Sequence, residues 1–147
     1  MKRKTPMARS ASLRRGNAMA RKPMKGRGKT RKAGSEARWR SAAYLGWVRA
    51  HPCCVCGTTR GVIAHHLIGM WQVSGMGLKA ADSFAMPVCD GPGDTCHRKI
   101  HTSKTLQALQ PVCIEHTIRQ AIANGAYGET RDELMNALAF IHDKEAT

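Results

Sequence analysis

Four histidines, in two pairs, have the spacing of a metal-dependent catalytic site. His97 and His101 are four residues apart, and on a helix this separation places two imidazoles on one face, where they can bind the same ion. His65 and His66 are adjacent and end an apolar run that predicts a strand, on which neighbouring side chains point to opposite faces. We therefore expect one of the two neighbours to bind the ion and the other to accept a proton from water.

Cysteines form a second set of candidate metal ligands. Cys53 and Cys56 are the ends of a C-x-x-C knuckle, and Cys89 and Cys96 provide two further thiols. Four thiolates make a closed tetrahedral zinc site, which stabilises a fold and leaves no position for substrate. Two alternatives stay open at this point. Cys54 competes with Cys53 for the first ligand position, and buried free thiols would need no metal.

The surroundings of the six cysteines favour metal binding over disulfides. No apolar run has the length of a signal peptide or a membrane span, so we expect a soluble cytoplasmic protein whose thiols stay reduced. Residues 90–95 separate the second pair of thiols, and their turn-forming composition predicts a bulge that leaves both thiols pointing inward. Cys113 lies alone in a helical pattern and is predicted to be a small core residue.

The elements predicted to position these ligands follow the order strand, strand, helix. Strands are predicted over 62–66 and 84–88, and a helix is predicted to begin near Cys96. A glycine-rich loop joins the strands, and its end, Gly75–Lys79, is interpreted as a connection that can lie on DNA. We interpret residues 53–104 as a zinc-stapled ββα core within an α+β fold.

Helices are predicted on both sides of this core. A leading helix over 35–50, with Ser35 as N-cap, would place Tyr44, Trp47 and Val48 on one apolar face. Two C-terminal helices are predicted within 105–147. The signals for their ends are Pro111 at the first position of one helix, Asn124-Gly125 at its end, and a capping box of Thr130 and Glu133 at the start of the other.

The N-terminal 34 residues have the composition of a basic, DNA-contacting arm. Of the 24 lysines and arginines, 13 precede residue 35, where no acidic residue occurs, so nearly all of the net charge of +14 lies there. Such a segment buries too little apolar surface to fold alone. Its positive charges bind DNA phosphates without preference for a DNA sequence. A solubilising tail, an organelle transit peptide and a nuclear signal are the alternatives. The arm residues assigned to DNA are Lys2, Arg3, Lys4, Arg14, Arg15, Arg21 and Lys22.

Five short motifs occur together between residues 44 and 101. They are Pro52–Gly57 (PCCVCG), Ala64–Gly69 (AHHLIG), Gly75–Gly77 (GMG), Met86–Cys89 (MPVC) and Cys96–His101 (CHRKIH). In combination they resemble the HNH endonuclease superfamily, also called ββα-metal or His-Me finger nucleases. Within it they resemble the small phage and prophage branch that includes a RecA-dependent recombination-enhancement nuclease. The resemblance covers about two fifths of the chain and leaves out the arm and the C-terminal helices.

The resemblance implies a role for each matching histidine. His65 corresponds to a ligand of the catalytic ion, His66 to the general base that activates water, and His97 and His101 to the remaining ligands. It also implies Mg or Mn as the catalytic ion, beside structural zinc. The middle Asn of the family has no clear match, and Asp82 is the nearest polar candidate.

These features together predict a metal-dependent DNA endonuclease acting in phage recombination or replication. Its expected partners are DNA and, from the resemblance, a RecA-type recombinase filament, in the nucleoid region of a bacterial host cell. A non-catalytic, zinc-stabilised DNA-binding module is the alternative, and a basic structural or RNA-associated protein is a third reading. Arg98, Lys99 and Arg60 are candidate phosphate contacts, with solvated surface charges as the alternative. The oligomeric state stays open.

Overall fold

Residues 38–74 and 78–147, which the computed structural model describes, form a mixed α+β structure. The elements are α1 (Ala42–Arg49), β1 (Val62–His66), a 3-10 turn (Asp82–Phe84), β2 (Ala85–Cys89), α2 (Cys96–Thr102), α3 (Lys104–Ala108), α4 (Gln110–Ala123) and α5 (Glu129–Glu145). The predicted arm over 1–34 and the Gly75–Gly77 motif lie outside the described residues. Within those residues, the helices are all too short or too polar to cross a membrane.

The centre of the fold is an antiparallel hairpin of β1 and β2. His65 pairs with Met86, and Val62 pairs with Cys89. β1 has the predicted bounds, whereas β2 begins and ends one residue later than predicted. All five residues of β2 are buried, because α2 and α4 both pack against this strand.

Helix α2 begins directly after the turn that follows β2. Thr95 is the N-cap, and its side chain accepts a hydrogen bond from the backbone N–H of Arg98, which stabilises the first turn. Cys96 is therefore the first helical residue, as predicted, and Ile100 is buried one turn later. The order β1, β2, α2 is the strand, strand, helix order expected from the sequence.

The leading helix is shorter than predicted. Arg38–Ser41 is not helical, and α1 begins at Ala42 with Ser41 as its N-cap. Ser35 lies outside the described residues, but the prediction of a helix over residues 38–41 was wrong because Trp39 and Ser41 use their backbone groups elsewhere. The carbonyl of Trp39 accepts from the N–H of Asp82, and the N–H of Ser41 donates to the Asp82 carboxylate. The predicted apolar face is present, with Tyr44 and Val48 buried.

The C-terminal helices pack against each other, α4 also packs against β2, and α5 packs against the 3-10 turn. Their buried residues, Ile114, Ile118, Leu134 and Ile141, join Val48, Met86 and Val88 in one core. Helix α4 begins at Gln110, one residue before the predicted first position at Pro111, and Asn124 is its C-cap, as predicted. The predicted capping box was wrong, since α5 begins at Glu129 after Gly128, whose φ of 57° suits glycine. Helix α3 was not predicted from the sequence.

Candidate metal centres and catalytic groove

The four predicted cysteine ligands lie together. The thiol sulfurs of Cys53, Cys56, Cys89 and Cys96 are all within 4.8 Å of one another. The Sγ atoms of Cys56 and Cys89 are 3.7 Å apart, and a tetrahedral ion with Zn–S bonds of about 2.3 Å requires a sulfur separation of about 3.8 Å. The cluster therefore fits zinc with little adjustment.

The knuckle backbone is arranged to hold a thiolate. The N–H of Gly57 donates to the carbonyl of Cys53, and the N–H of Cys53 donates to the carbonyl of Thr58. Burial raises the pKa of Cys53, but hydrogen bonds from the backbone at Cys56, Cys89 and Val55 lower it to about 7. Hydrogen bonds to sulfur favour the charged form, which is the form that binds metal.

Cys53, and not Cys54, contributes to this cluster. The backbone N–H of Cys54 donates to the carbonyl of Pro87 at 2.9 Å, which fixes the knuckle to β2. The side chain of Cys54 interacts instead with Cys113. The two candidates for the first ligand position therefore point to different places.

The three histidines predicted to bind the catalytic ion form a second cluster. The ring centroids of His65, His97 and His101 are 4.9 to 5.5 Å apart, and one nitrogen from each lies within 4.8 Å of the others. The Nε2 atoms of His97 and His101 are 3.2 Å apart. Two nitrogens bound to one tetrahedral ion at about 2.0 Å would be separated by about 3.3 Å. These imidazoles are therefore already spaced as a ligand pair.

His65 provides an independent indication that this cluster binds an ion. It is buried in β1, and its Nε2 atom has no hydrogen-bond partner among the described residues. Burial, followed by the proximity of His97 and His101, lowers the pKa of His65 to about 4. A neutral imidazole with an unpartnered, buried nitrogen is costly alone and suits a metal ligand.

Asp90 orients one of the helical ligands. Its Oδ2 lies 3.1 Å from Nδ1 of His97, and its Oδ1 accepts from the N–H of Gly91 and the hydroxyl of Thr95. The pKa of Asp90 is lowered mainly by the hydrogen bond from the N–H of Gly91 and to a smaller extent by the nearby His97. An ionised carboxylate only accepts, so Nδ1 of His97 carries the proton and Nε2 is free to bind an ion.

His66, the predicted general base, points away from the other three imidazoles to Asp82. Its Nε2 lies 2.8 Å from Oδ1 of Asp82, whose side chain is 5% exposed. Burial opposes ionisation of Asp82, but hydrogen bonds from His66, Arg40 and the N–H of Ser41 hold its pKa below the ordinary value. His66 therefore donates from Nε2, which leaves the lone pair of Nδ1 available to accept a proton.

The three clustered histidines and His66 line the same groove, which has a volume of about 680 Å³. The four histidines line it together with Lys79 and the partly apolar wall formed by Ile63, Ile68 and Leu78. Lys79 is held in place through its backbone, since its carbonyl accepts from Arg38 at 3.0 Å and from Arg40 at 3.1 Å. An imidazole cluster, a histidine–aspartate pair and a lysine thus face the same space.

The predicted phosphate contacts are placed less favourably. Arg98 and Lys99 are exposed on α2, and Arg60 is exposed in the turn before β1, but they are not among the residues that line the groove. Lys99 forms an ion pair with Asp94 at 2.9 Å. The arm residues, Lys2, Arg3, Lys4, Arg14, Arg15, Arg21 and Lys22, lie outside the described part of the chain.

Two site residues were not identified from the sequence. Asp90 was interpreted only as part of a turn, because nothing in its spacing connects it with a histidine seven residues later. Arg40 was assigned to a helix, whereas it donates to the carbonyl of Ala80 and to Asp82, both at 2.7 Å. Asp82 was noted as the nearest polar candidate for the missing Asn, but its contact with His66 depends on the fold.

Comparison with known proteins shows the family of this chain. It belongs to the family described as "Protein of unknown function (DUF968)", which matches residues 32–125. That range contains both candidate metal clusters and all of α4. Uncharacterized protein YdfU from Escherichia coli (strain K12) is 42% identical over 65 residues. The aligned segment is 44% of this chain and 17% of that relative's length. No solved structure matches the chain.

The thiol cluster predicts that zinc content depends on Cys56. This is the most exposed of the four thiols, so Cys56→Ser removes a ligand with little loss of packing. We expect zinc per chain, measured by elemental analysis after dialysis, to fall from one to well below one and the thermal unfolding midpoint to fall with it. Cys113→Ser is the control, because Cys113 lies outside the cluster. This variant should keep its zinc. A Cys56→Ser protein with full zinc would contradict the site.

The Asp82 network predicts a stability loss that depends on pH. Asp82→Ala leaves donors on His66, Arg40 and Ser41 unpaired and should cost about 1–3 kcal/mol in urea unfolding at pH 7. Because the pKa of Asp82 is lowered from 3.8 in the folded state, its stabilisation is present above that value and is lost as the pH falls through the lower folded value.

The difference between Asp82→Ala and wild type should therefore shrink in acid. Asp143→Ala is the control, since the Asp143 carboxylate forms a surface ion pair with the neighbouring Lys144 at 3.3 Å, where such pairs contribute little. Equal effects of the two substitutions at pH 7 would show that the Asp82 contacts do not stabilise the fold.

Proposed function

We propose that this protein is a metal-dependent DNA endonuclease of the HNH (ββα-metal) type. The observation that carries the proposal is the shared groove, in which three imidazoles lie within 4.8 Å of one another and a fourth histidine is oriented by a buried carboxylate. The strand, strand, helix order that presents these residues is the one that the motif resemblance implies.

In this proposal, each side chain at the groove has a separate role in phosphodiester hydrolysis. His65, His97 and His101 would hold a divalent ion, which would supply positive charge to stabilise the charge that develops on the phosphodiester. His66 accepts the proton of the attacking water at Nδ1, while Asp82 stabilises the imidazolium that results. Lys79 provides a further positive charge at the groove, where a neighbouring phosphate of the strand would bind.

The thiol cluster has a structural role in this proposal. Its four ligands leave no coordination position for substrate, and it joins the knuckle, the end of β2 and the start of α2. Zinc is therefore proposed for the thiols, and Mg or Mn for the imidazoles. The second assignment comes from the resemblance, since imidazole ligands alone do not select among these ions.

Plasmid cleavage tests the proposed general base. We expect His66→Ala to lower the nicking rate of supercoiled DNA in Mg²⁺ or Mn²⁺ by about 10²–10⁴-fold, because no other group replaces the proton acceptor. DNA affinity, measured separately by fluorescence anisotropy, should stay near the wild-type value. His142→Ala is the control, since His142 contacts Glu115 at the surface, and it should retain full activity.

Several outcomes of this assay would contradict the proposal. Equal nicking by wild type and His66→Ala would remove His66 as the base. No cleavage by wild type on supercoiled, single-stranded or branched DNA, with or without a RecA-type filament, would favour the alternative of a non-catalytic zinc-stabilised DNA-binding module. That alternative uses the thiol cluster and the basic arm but has no role for the imidazole cluster.

The basic arm is proposed to bind DNA without sequence preference. Deleting residues 1–34 removes 13 of the 24 basic residues. If about six of them neutralise phosphates, the slope of log K against log salt should become less negative by roughly 5. Fluorescence anisotropy across a salt series measures this change, with unfolding of the truncated protein as the control for its fold. Unchanged affinity and slope would show that the arm does not contact DNA.

A further inference from the structure

Two cysteines that take no part in the thiol cluster line the same second cavity. Cys54 and Cys113 both line an opening of about 420 Å³ between the knuckle and α4. Both side chains are half-buried, and Val112, which is 59% exposed, lies at the same opening. The two thiols are therefore sheltered but within reach of small solutes.

The backbone holds each of these cysteines in place. The N–H of Cys54 donates to the carbonyl of Pro87 on β2 at 2.9 Å. Cys113 lies in the first turns of α4, where its N–H donates to Leu109 and its carbonyl accepts from the hydroxyl of Thr117 at 2.7 Å. The backbone on each side of the cavity is therefore fixed by hydrogen bonds.

The two thiols also meet each other. Their side chains are mutual hydrogen-bonding partners, so the two sulfur atoms are neighbours. Two neighbouring thiols, sheltered but within reach of small oxidants, are the arrangement found where a resolving cysteine captures an oxidised one.

We propose that Cys54 and Cys113 are a redox-active pair that forms a reversible disulfide under peroxide, while the four-thiol zinc cluster stays intact. One of the two thiols, as its thiolate, attacks one oxygen of hydrogen peroxide, the O–O bond breaks, and a sulfenic acid and, with the proton released from that thiol, one water result. The other thiol then displaces the sulfenic oxygen as a second water, and the S–S bond forms. Two thiols are oxidised by two electrons in total, and one peroxide is reduced to two waters.

The disulfide would join the zinc knuckle to α4 across 59 positions of sequence. It would also keep Cys54 away from the ligand position that Cys53 occupies, one residue earlier in the chain. Because closing a long loop restricts the unfolded chain, the oxidised protein should have a higher thermal unfolding midpoint than the reduced one.

Peptide mapping of the full-length, zinc-loaded protein tests this pair. After treatment with a small excess of hydrogen peroxide, free thiols are alkylated in denaturant with a chelator, and the protein is digested with trypsin without reduction. Cleavage after basic residues gives peptides 50–60 and 105–119, which contain Cys54 and Cys113. We expect these peptides to be linked, with Cys53 and Cys56 alkylated, and the link to disappear after dithiothreitol.

Matched variants and zinc content make each outcome decisive. Cys54→Ser and Cys113→Ser should both abolish the link between the two peptides, while zinc per chain stays at one in wild type before and after oxidation. Persistence of the link in Cys54→Ser would show that Cys53 or Cys56 is the partner. Loss of zinc in parallel with linkage, or oxidation of wild type without any link, would overturn the proposal. No outcome depends on nuclease activity.

Discussion

The relation between two neighbouring residues at the start of α2 determines both candidate metal centres. Cys96 and His97 are adjacent, and successive side chains on a helix point about 100° apart. One therefore faces the thiol cluster and the other faces the imidazole cluster. The same division occurs at the end of β2, where Cys89 contributes a thiol and Asp90 holds the ring of His97 at 3.1 Å. The short connection between β2 and α2 thus sets the position of one centre relative to the other.

Asp82 organises the other side of the groove independently of the thiols. It receives hydrogen bonds from His66, Arg40 and the backbone of Ser41, and so joins the segment before α1 to the end of β1. Since His66 has no ligand role in the proposed site, its orientation has to come from protein groups. A buried carboxylate that is itself held by a guanidinium and an amide provides that orientation.

Patterns local in sequence predicted much of this fold, and contacts distant in sequence account for most of what they missed. The hairpin, the start of α2, the C-x-x-C pair and the shared face of His97 and His101 follow from alternation and from spacing within a turn or a knuckle, whereas the choice of His65 over His66 came from the motif resemblance. The start of α1 could not be found in this way, because Trp39 and Ser41 bond to a residue about forty positions later. The contacts of Arg40 and the partner of His97 likewise depend on the folded turn. The choice between Cys53 and Cys54 needed the position of Cys113.

The chemistry of the two ligand sets explains why one chain would keep them apart. Four thiolates more than neutralise a divalent ion and fill its coordination sphere, so that such an ion can stabilise a fold but cannot attract a phosphate. Three neutral imidazoles leave both the positive charge and open positions to the ion they bind. The low pKa of His65 keeps that residue neutral across the physiological range, and the Asp90 contact fixes the proton of His97 on the nitrogen away from the cluster. In the proposed site, these ligands would therefore preserve the positive charge that the proposed phosphodiester substrate requires.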